Sequence, residues 1–136
     1  MTRDESKKFA IPVNNICFKD KLNDNKPSPG GYIINLADST THGTHWTALW
    51  LESPSHCAYF DSFGIAPPLA VEEFCRRYGC HKILMSQVQI QNINSEFCGE
   101  YATDFLAFMS RNKRLTLEKR YRIFLSHFHD GSKRAN

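Results

Sequence analysis

Apolar residues cluster along this chain in segments whose length and composition predict a small β-sheet. Residues 32–36, 45–51 and 57–61 each read as a strand, rich in aromatic and aliphatic side chains. The second and third are joined by a short turn that contains Pro54, so we expect them to form an antiparallel hairpin. A further strand is predicted over 82–90.

Three other segments show the apolar spacing of helices. One follows Pro67 and Pro68 and ends before Gly79, and the others cover 98–109 and 116–129. The side chains expected on their buried sides are Leu69, Val71 (or Glu72), Phe74 and Cys75; Ala102, Phe105, Leu106 and Met109; and Tyr121, Phe124, Leu125 and Phe128. The predicted fold class is α+β, a small mixed sheet with an antiparallel hairpin flanked by helices. Residues 14–22 fit either a short helix or an irregular segment, and 23–31 a loop.

Composition narrows the class of protein. A chain of 136 residues with 41% hydrophobic content is expected to form one domain over 1–136, with flexible charged residues at 1–10. No apolar run approaches the length needed to span a membrane, and the polar first residues lack the character of a signal peptide. We therefore expect neither membrane association nor secretion. The five cysteines are an odd set, which indicates free thiols in a reducing compartment.

The sequence argues against a metal site built from its thiols and imidazoles. The spacing from Cys75 to Cys80 exceeds that of a short zinc knuckle, and Cys57, with His56 or His81, lies on a different predicted element. We therefore predict no metal and no cofactor.

The chain does contain the residue types that a cysteine hydrolase needs. Cys98 opens a predicted helix, where the helix dipole favours a thiolate, and Gly99 beside it leaves room for a substrate backbone. His45 and Asp61 begin and end the two strands of one hairpin, so they meet at one edge of the sheet. Gln91 precedes the helix and can supply an amide to an oxyanion. Each residue alone is more often structural, and His42 is a rival base, but the joint pattern favours catalysis.

Three ordered motifs resemble those of a known family. They are Gly-Thr-His-Trp at 43–46, Tyr-Phe-Asp-Ser-Phe-Gly at 59–64, and Gln-x-x-Asn-Ser-x-x-Cys-Gly at 91–99. Together they resemble the adenain/SUMO-protease superfamily of cysteine proteases, closest to its viral branch. The match spans most of the domain, from about residue 32 to residue 109.

The resemblance implies a role for each matched residue. Cys98 would be the nucleophile, His45 the general base and acid, and Asp61 the group that orients the imidazole. Gln91 would join the backbone N–H of Cys98 in the oxyanion hole. The resemblance also places substrate binding at four positions, with an indole wall that admits glycine near the scissile bond: Gly43, Trp46, Asn94 and Gly99.

The function implied is that of an endopeptidase that cuts viral precursor or structural proteins at Gly-containing sites. Its location would then be the virion and the nucleus or cytoplasm of the host cell. The cellular branch suggests an alternative, an isopeptidase that removes ubiquitin or SUMO-type modifiers. Acetyl transfer by the same triad is a weaker alternative, because no insertion for a separate cofactor is evident.

A reading of a different class is a basic module that binds nucleic acid. Basic residues crowd the last turn and the final helix, and they would attract phosphate: Arg111, Lys113, Arg114, Lys119, Arg120 and Arg122. A solvated helix face is the common explanation of such a pattern. The family resemblance nevertheless implies DNA as an additional partner beside the protein substrate, since adenain is a DNA-associated protease.

Overall fold

The computed structural model describes residues 13–37, 45–90 and 97–128 and contains a five-stranded mixed sheet. The strands follow one another across the sheet in chain order: β1 (Val13–Phe18), β2 (Gly30–Asn35), β3 (Trp46–Glu52), β4 (His56–Phe60) and β5 (Ile83–Met85). The central strands β2, β3 and β4 are antiparallel, and the edge strands β1 and β5 run parallel to their neighbours. The predicted hairpin is therefore β3–β4.

In the part of the chain that the structure describes, three α-helices and a short 3-10 helix accompany the sheet. They are α1 (Leu69–Tyr78), α2 (Cys98–Arg111), α3 (Leu117–Ser126) and the 3-10 helix Lys19–Asp24. The α+β prediction is confirmed. Within the described ranges, no helix has the length and apolar character needed to cross a membrane.

Two hydrophobic cores form because alternate side chains of each strand point to opposite faces of the sheet. Ala48 and Trp50 of β3 face the core shared with α2 and α3, which contains Phe105. Leu49 and Leu51 face the other core, which is closed by α1 and the 3-10 helix. Helix α2 is consequently fixed against one face of the hairpin that carries His45 and Asp61.

Several local predictions need correction. Of the segment 14–22, expected as a short helix or irregular, residues 14–18 belong to β1, which pairs with β2 despite a bulge between Val13 and Asn15, and residues 19–22 belong to the 3-10 helix. The strand expected over 82–90 contains only 83–85. Leu69, expected on the buried side of α1, is 63% exposed. Gly79 does end α1, with a φ of 100° that suits glycine.

Candidate active site

His45 and Asp61 lie side by side at one end of the β3–β4 hairpin. His45 immediately precedes β3 and Asp61 immediately follows β4, and the pairing of Ala48 with Phe60 brings these ends together. The Nε2 atom of His45 lies 2.8 Å from Oδ1 of Asp61. The carboxylate is fully buried and 14% of the imidazole side chain is exposed, so the pair is largely shielded from water.

The turn after β4 fixes the carboxylate. The backbone N–H of Phe63 donates to Asp61 Oδ1 at 2.8 Å, and that of Gly64 donates to the Asp61 carbonyl at 2.8 Å. Gly64 has a φ of 76°, and a Cβ there would lie 2.8 Å from the backbone of residues 87 and 88. Ile90 N–H donates to the Ser62 carbonyl at 2.9 Å. The turn and the segment 86–90 are thus held together by backbone contacts.

Cys98 is the first residue of α2, and its thiol reaches the hairpin. The backbone N–H of Trp46 donates to Cys98 Sγ at 3.3 Å, although 52 residues separate them in sequence. The imidazole of His45 and this thiol also influence each other electrostatically. Nε2 is engaged by Asp61, and Nδ1 is buried without a hydrogen bond to any described residue, so Nδ1 is the ring nitrogen left for the thiol.

The site favours an imidazolium beside a thiolate. Burial lowers the pKa of His45, but its interactions with Asp61 and Cys98 outweigh this and raise the pKa to about 9. Burial raises the pKa of the Cys98 thiol, but the imidazole and the backbone N–H groups of Trp46 and Gly99 together lower it below the ordinary value. A thiolate is the form of cysteine that attacks a carbonyl.

Three other cysteines have the opposite tendency. Burial raises the pKa of Cys17 and of Cys80 to about 11 in each case. A hydrogen bond to Cys75, followed by burial, raises the pKa of Cys57 well above the ordinary range. Cys98 therefore differs from these thiols in electrostatic environment as well as in position.

The remaining predicted site residues fall into two groups. Trp46 is half-buried against the core beneath α2, and Gly99 is buried beside Cys98. Gly43, Gln91 and Asn94 lie outside the described residues, as does the rival base His42. Phe63, which the sequence reasoning missed, stacks on the His45 ring. Its position two residues after the acid was the available signal.

One of the six residues of the predicted basic surface, Arg120, is not on the surface. Arg120 is 1% exposed and lies inside the fold, where its guanidinium binds both carboxylate oxygens of Glu52 and the carbonyls of Leu115 and Met109. The prediction that Arg120 contacts nucleic acid is therefore wrong. The other five basic residues remain exposed: Arg111, Lys113, Arg114, Lys119 and Arg122.

Comparisons with known proteins agree with the motifs. No family model matches the chain. A protease of bovine adenovirus C serotype 10 is 27% identical over 112 residues, which cover 72% of this chain and 56% of the relative. Two crystal structures of the ASFV protease superpose with TM-scores of 0.58 and 0.53, each at 17% identity. They cover 90% and 88% of this chain and 56% and 61% of the matched chains.

Two conclusions follow from these matches. The chain has the fold of the ASFV protease and is similar in sequence to an adenovirus protease, so the resemblance inferred from the motifs is confirmed. The chain spans only 56% of the length of the adenovirus relative that it matches.

Proposed function

We propose that this adenain-like chain is a cysteine endopeptidase that cleaves viral precursor or structural proteins next to glycine. One observation carries the proposal: the Cys98 thiol accepts a hydrogen bond from Trp46 N–H beside a buried His45–Asp61 pair. The pKa values of the thiol and the imidazole shift in opposite directions there, as an ion pair requires. Such an enzyme would act in the virion or the infected cell.

In the proposed reaction, the Cys98 thiolate attacks the carbonyl carbon of the scissile bond. The backbone N–H of Cys98 and the side-chain amide of Gln91 would stabilise the oxyanion that forms. His45 then gives its proton to the leaving amine as the C–N bond breaks, which leaves a thioester on Cys98. His45 next takes a proton from water, the hydroxide attacks the thioester, and the acid product leaves with the thiolate restored.

Asp61 has two tasks in this scheme. Its carboxylate holds the His45 ring with Nδ1 directed to the thiol, and it stabilises the positive charge of the imidazolium. Because the carboxylate is fully buried, this interaction is little screened by solvent. Replacing Asp61 with Asn would preserve the shape of the side chain but remove the negative charge that stabilises the protonated His45 imidazole.

Glycine specificity is proposed from the position of Trp46. This residue follows the base directly and is half-buried, so its indole can bound the path of the substrate to the thiol. A narrow path admits a residue without a side chain and excludes larger ones. Together with Gly43, Asn94 and Gly99, Trp46 would form the binding surface for the glycine-containing segment.

The test uses a peptide electrophile that ends in Gly-Gly, with the adduct located by mass spectrometry. We expect one adduct on Cys98, none on Cys98→Ala, and at least about 100-fold slower labelling of His45→Ala. Cys80→Ala and His56→Ala serve as matched controls, because both residues line a pocket beside the hairpin turn, at the end of the hairpin opposite to His45 and Asp61, and they should label as the unmodified protein does. Equal labelling of Cys17, Cys57, Cys75 and Cys80, indifferent to His45, would overturn the proposal.

A second experiment separates the two protease classes. An endopeptidase should cleave an unstructured peptide with an internal glycine site, and the cleavage should be lost in Cys98→Ala. Cleavage of a ubiquitin-type fusion with no cleavage of the free peptide would instead identify the isopeptidase alternative. Glycine specificity is checked by replacing the glycine with alanine, which should reduce cleavage strongly.

A further inference from the structure

Phe63 makes a contact with the proposed base that the reaction scheme does not use. Its ring lies parallel to the His45 imidazole, with the ring centroids 4.3 Å apart and an angle of 9° between the planes. Phe63 is half-buried and belongs to the turn that follows β4. Through its backbone it also donates to Asp61 Oδ1, the oxygen that His45 Nε2 contacts.

The chemistry of this stack favours one protonation state of the base. The face of an aromatic ring carries negative charge density, and a cation placed over it is attracted. An imidazolium gains this attraction and a neutral imidazole does not. The stack also restricts tilt of the imidazole, since a tilted ring would lose contact with the phenyl face.

The two contacts of Phe63 act in the same direction. Its N–H fixes the carboxylate oxygen that binds Nε2, and its ring fixes the plane of the imidazole. In that plane, one ring nitrogen is directed to Asp61 and the other is left for the Cys98 thiol. Among the described residues, two titratable groups act on the ring, Asp61 from the end of β4 and Cys98 from α2.

We propose that Phe63 is a positioning residue that holds the His45 imidazole between Asp61 and Cys98 and stabilises its protonated form. The inference rests on the proposed function, because it assigns His45 the role of general base and acid. The role is specific to an aromatic ring. Leucine fills similar space and keeps the backbone N–H but has no π face, and tyrosine retains that face.

The test is an NMR titration of proteins labelled in their histidine rings, with the His45 signals assigned by their absence in His45→Ala. We expect Phe63→Leu to lower the pKa of His45 by about half to one unit. Phe63→Tyr should restore it, and the ring signals of the distant His56 should not change between the variants. An unchanged pKa of His45 in Phe63→Leu would overturn the inference.

A second measurement decides the case in which Phe63→Leu fails to fold. Pentafluorophenylalanine introduced at position 63 keeps the ring shape and removes the negative charge density of its face. It should lower the pKa of His45 in the same direction as leucine, and an unchanged value would overturn the inference.

The rate of alkylation of Cys98 by the Gly-Gly electrophile is followed in parallel. If the unmodified protein shows no selective alkylation, the proposed function fails. The titration of His45 still decides the role of Phe63 in that case.

Discussion

Replacing Gly64 with alanine should damage the fold and the site together. Gly64 has a φ of 76°, which costs an L-residue about 1–2 kcal/mol. The new Cβ would also lie 2.8 Å from the carbonyl oxygen of Gln87 and from the carbonyl carbon of Val88. These are backbone atoms and cannot rotate away, so we add about 1–3 kcal/mol for overpacking. The expected loss of unfolding free energy is about 2–5 kcal/mol.

Gly79→Ala is the matched control. Gly79 also has positive φ, at 100°, but a Cβ there would meet only the Ser55 side chain, with Oγ at 3.0 Å. A serine hydroxyl can rotate, so we expect only the backbone cost of about 1–2 kcal/mol. Both variants would be measured by urea unfolding, in which the midpoint and slope give the free energy. Gly64→Ala should be the less stable of the two.

The alkylation rate of Cys98 is a second measurement that separates the Gly64→Ala variant from the Gly79→Ala variant. The turn of Gly64 carries Asp61 and Phe63, and relief of the clash must displace either this turn or the segment 86–90. We expect the alkylation rate of Cys98 to fall about 10- to 100-fold in Gly64→Ala. The rate should not change in Gly79→Ala. Equal losses of stability with normal alkylation in both variants would refute the assignment of Gly64 to the site.

Three further predictions concern charge. Glu52→Ala should cost about 3 kcal/mol in urea unfolding, at the low end for a buried pair because the Glu52 side chain is 24% exposed. Arg120→Met should cost less, because the carboxylate it leaves is partly exposed and still accepts from Trp50 Nε1, whereas Glu52→Ala leaves a buried guanidinium without its counter-charge; the reverse order would contradict this. The kcat/KM for a glycine peptide should fall as the pH rises through about 9, where His45 loses its proton. If Phe63→Leu does not shift the pH at which kcat/KM falls, this would argue against His45 as the group whose deprotonation causes the fall. DNA binding should weaken with salt and weaken further in Arg111→Glu with Arg114→Glu, and salt-independent binding would exclude the basic surface.

The pKa of His45 also predicts how its charge contributes to stability. The folded value of about 9 lies above the ordinary value of 6.5. Protonated His45 therefore stabilises the fold fully below pH 6.5, and this contribution is lost as the pH rises through about 9.

The hairpin and the helix that starts at Cys98 could be predicted because the residue types and apolar spacing of those segments match the structures that they form. Strand residues flank a short turn, and the apolar positions Ala102, Phe105 and Met109 recur at helical spacing and are buried. The order of the motifs then named the histidine, the acid and the cysteine. The structure brings those three side chains together, which sequence order alone does not establish.

The errors have physical reasons. Strand β1 contains Asn14 and Asn15, which disfavour strands, and it forms because it pairs with β2 while both amides bind the neighbouring loop. Strand β5 ends at Met85, and the backbone beyond it bonds elsewhere, with Val88 N–H donating to Ser86 Oγ and Ile90 N–H to the Ser62 carbonyl. Pairing and turn geometry of this kind depend on residues distant in sequence or on single side chains, which periodicity does not capture.

The burial of Arg120 could have been predicted from the sequence. This residue lies on the same helical face as Leu117, Tyr121 and Phe124, all of which are buried. A charged residue at the spacing of the buried apolar residues needs a partner inside the fold, and for Arg120 that partner is Glu52 at the end of β3.

The division of the site between the hairpin and α2 has a consequence for how the protein matures during folding. His45 and Asp61 come from one contiguous hairpin, whereas the Cys98 sulfur meets the Trp46 N–H only when α2 has docked on the sheet. Before that step the thiol lacks both the imidazole and the amide that lower its pKa, so it behaves as an ordinary cysteine. A chain in which α2 has not docked would therefore lack the lowered pKa of Cys98, even with the hairpin formed.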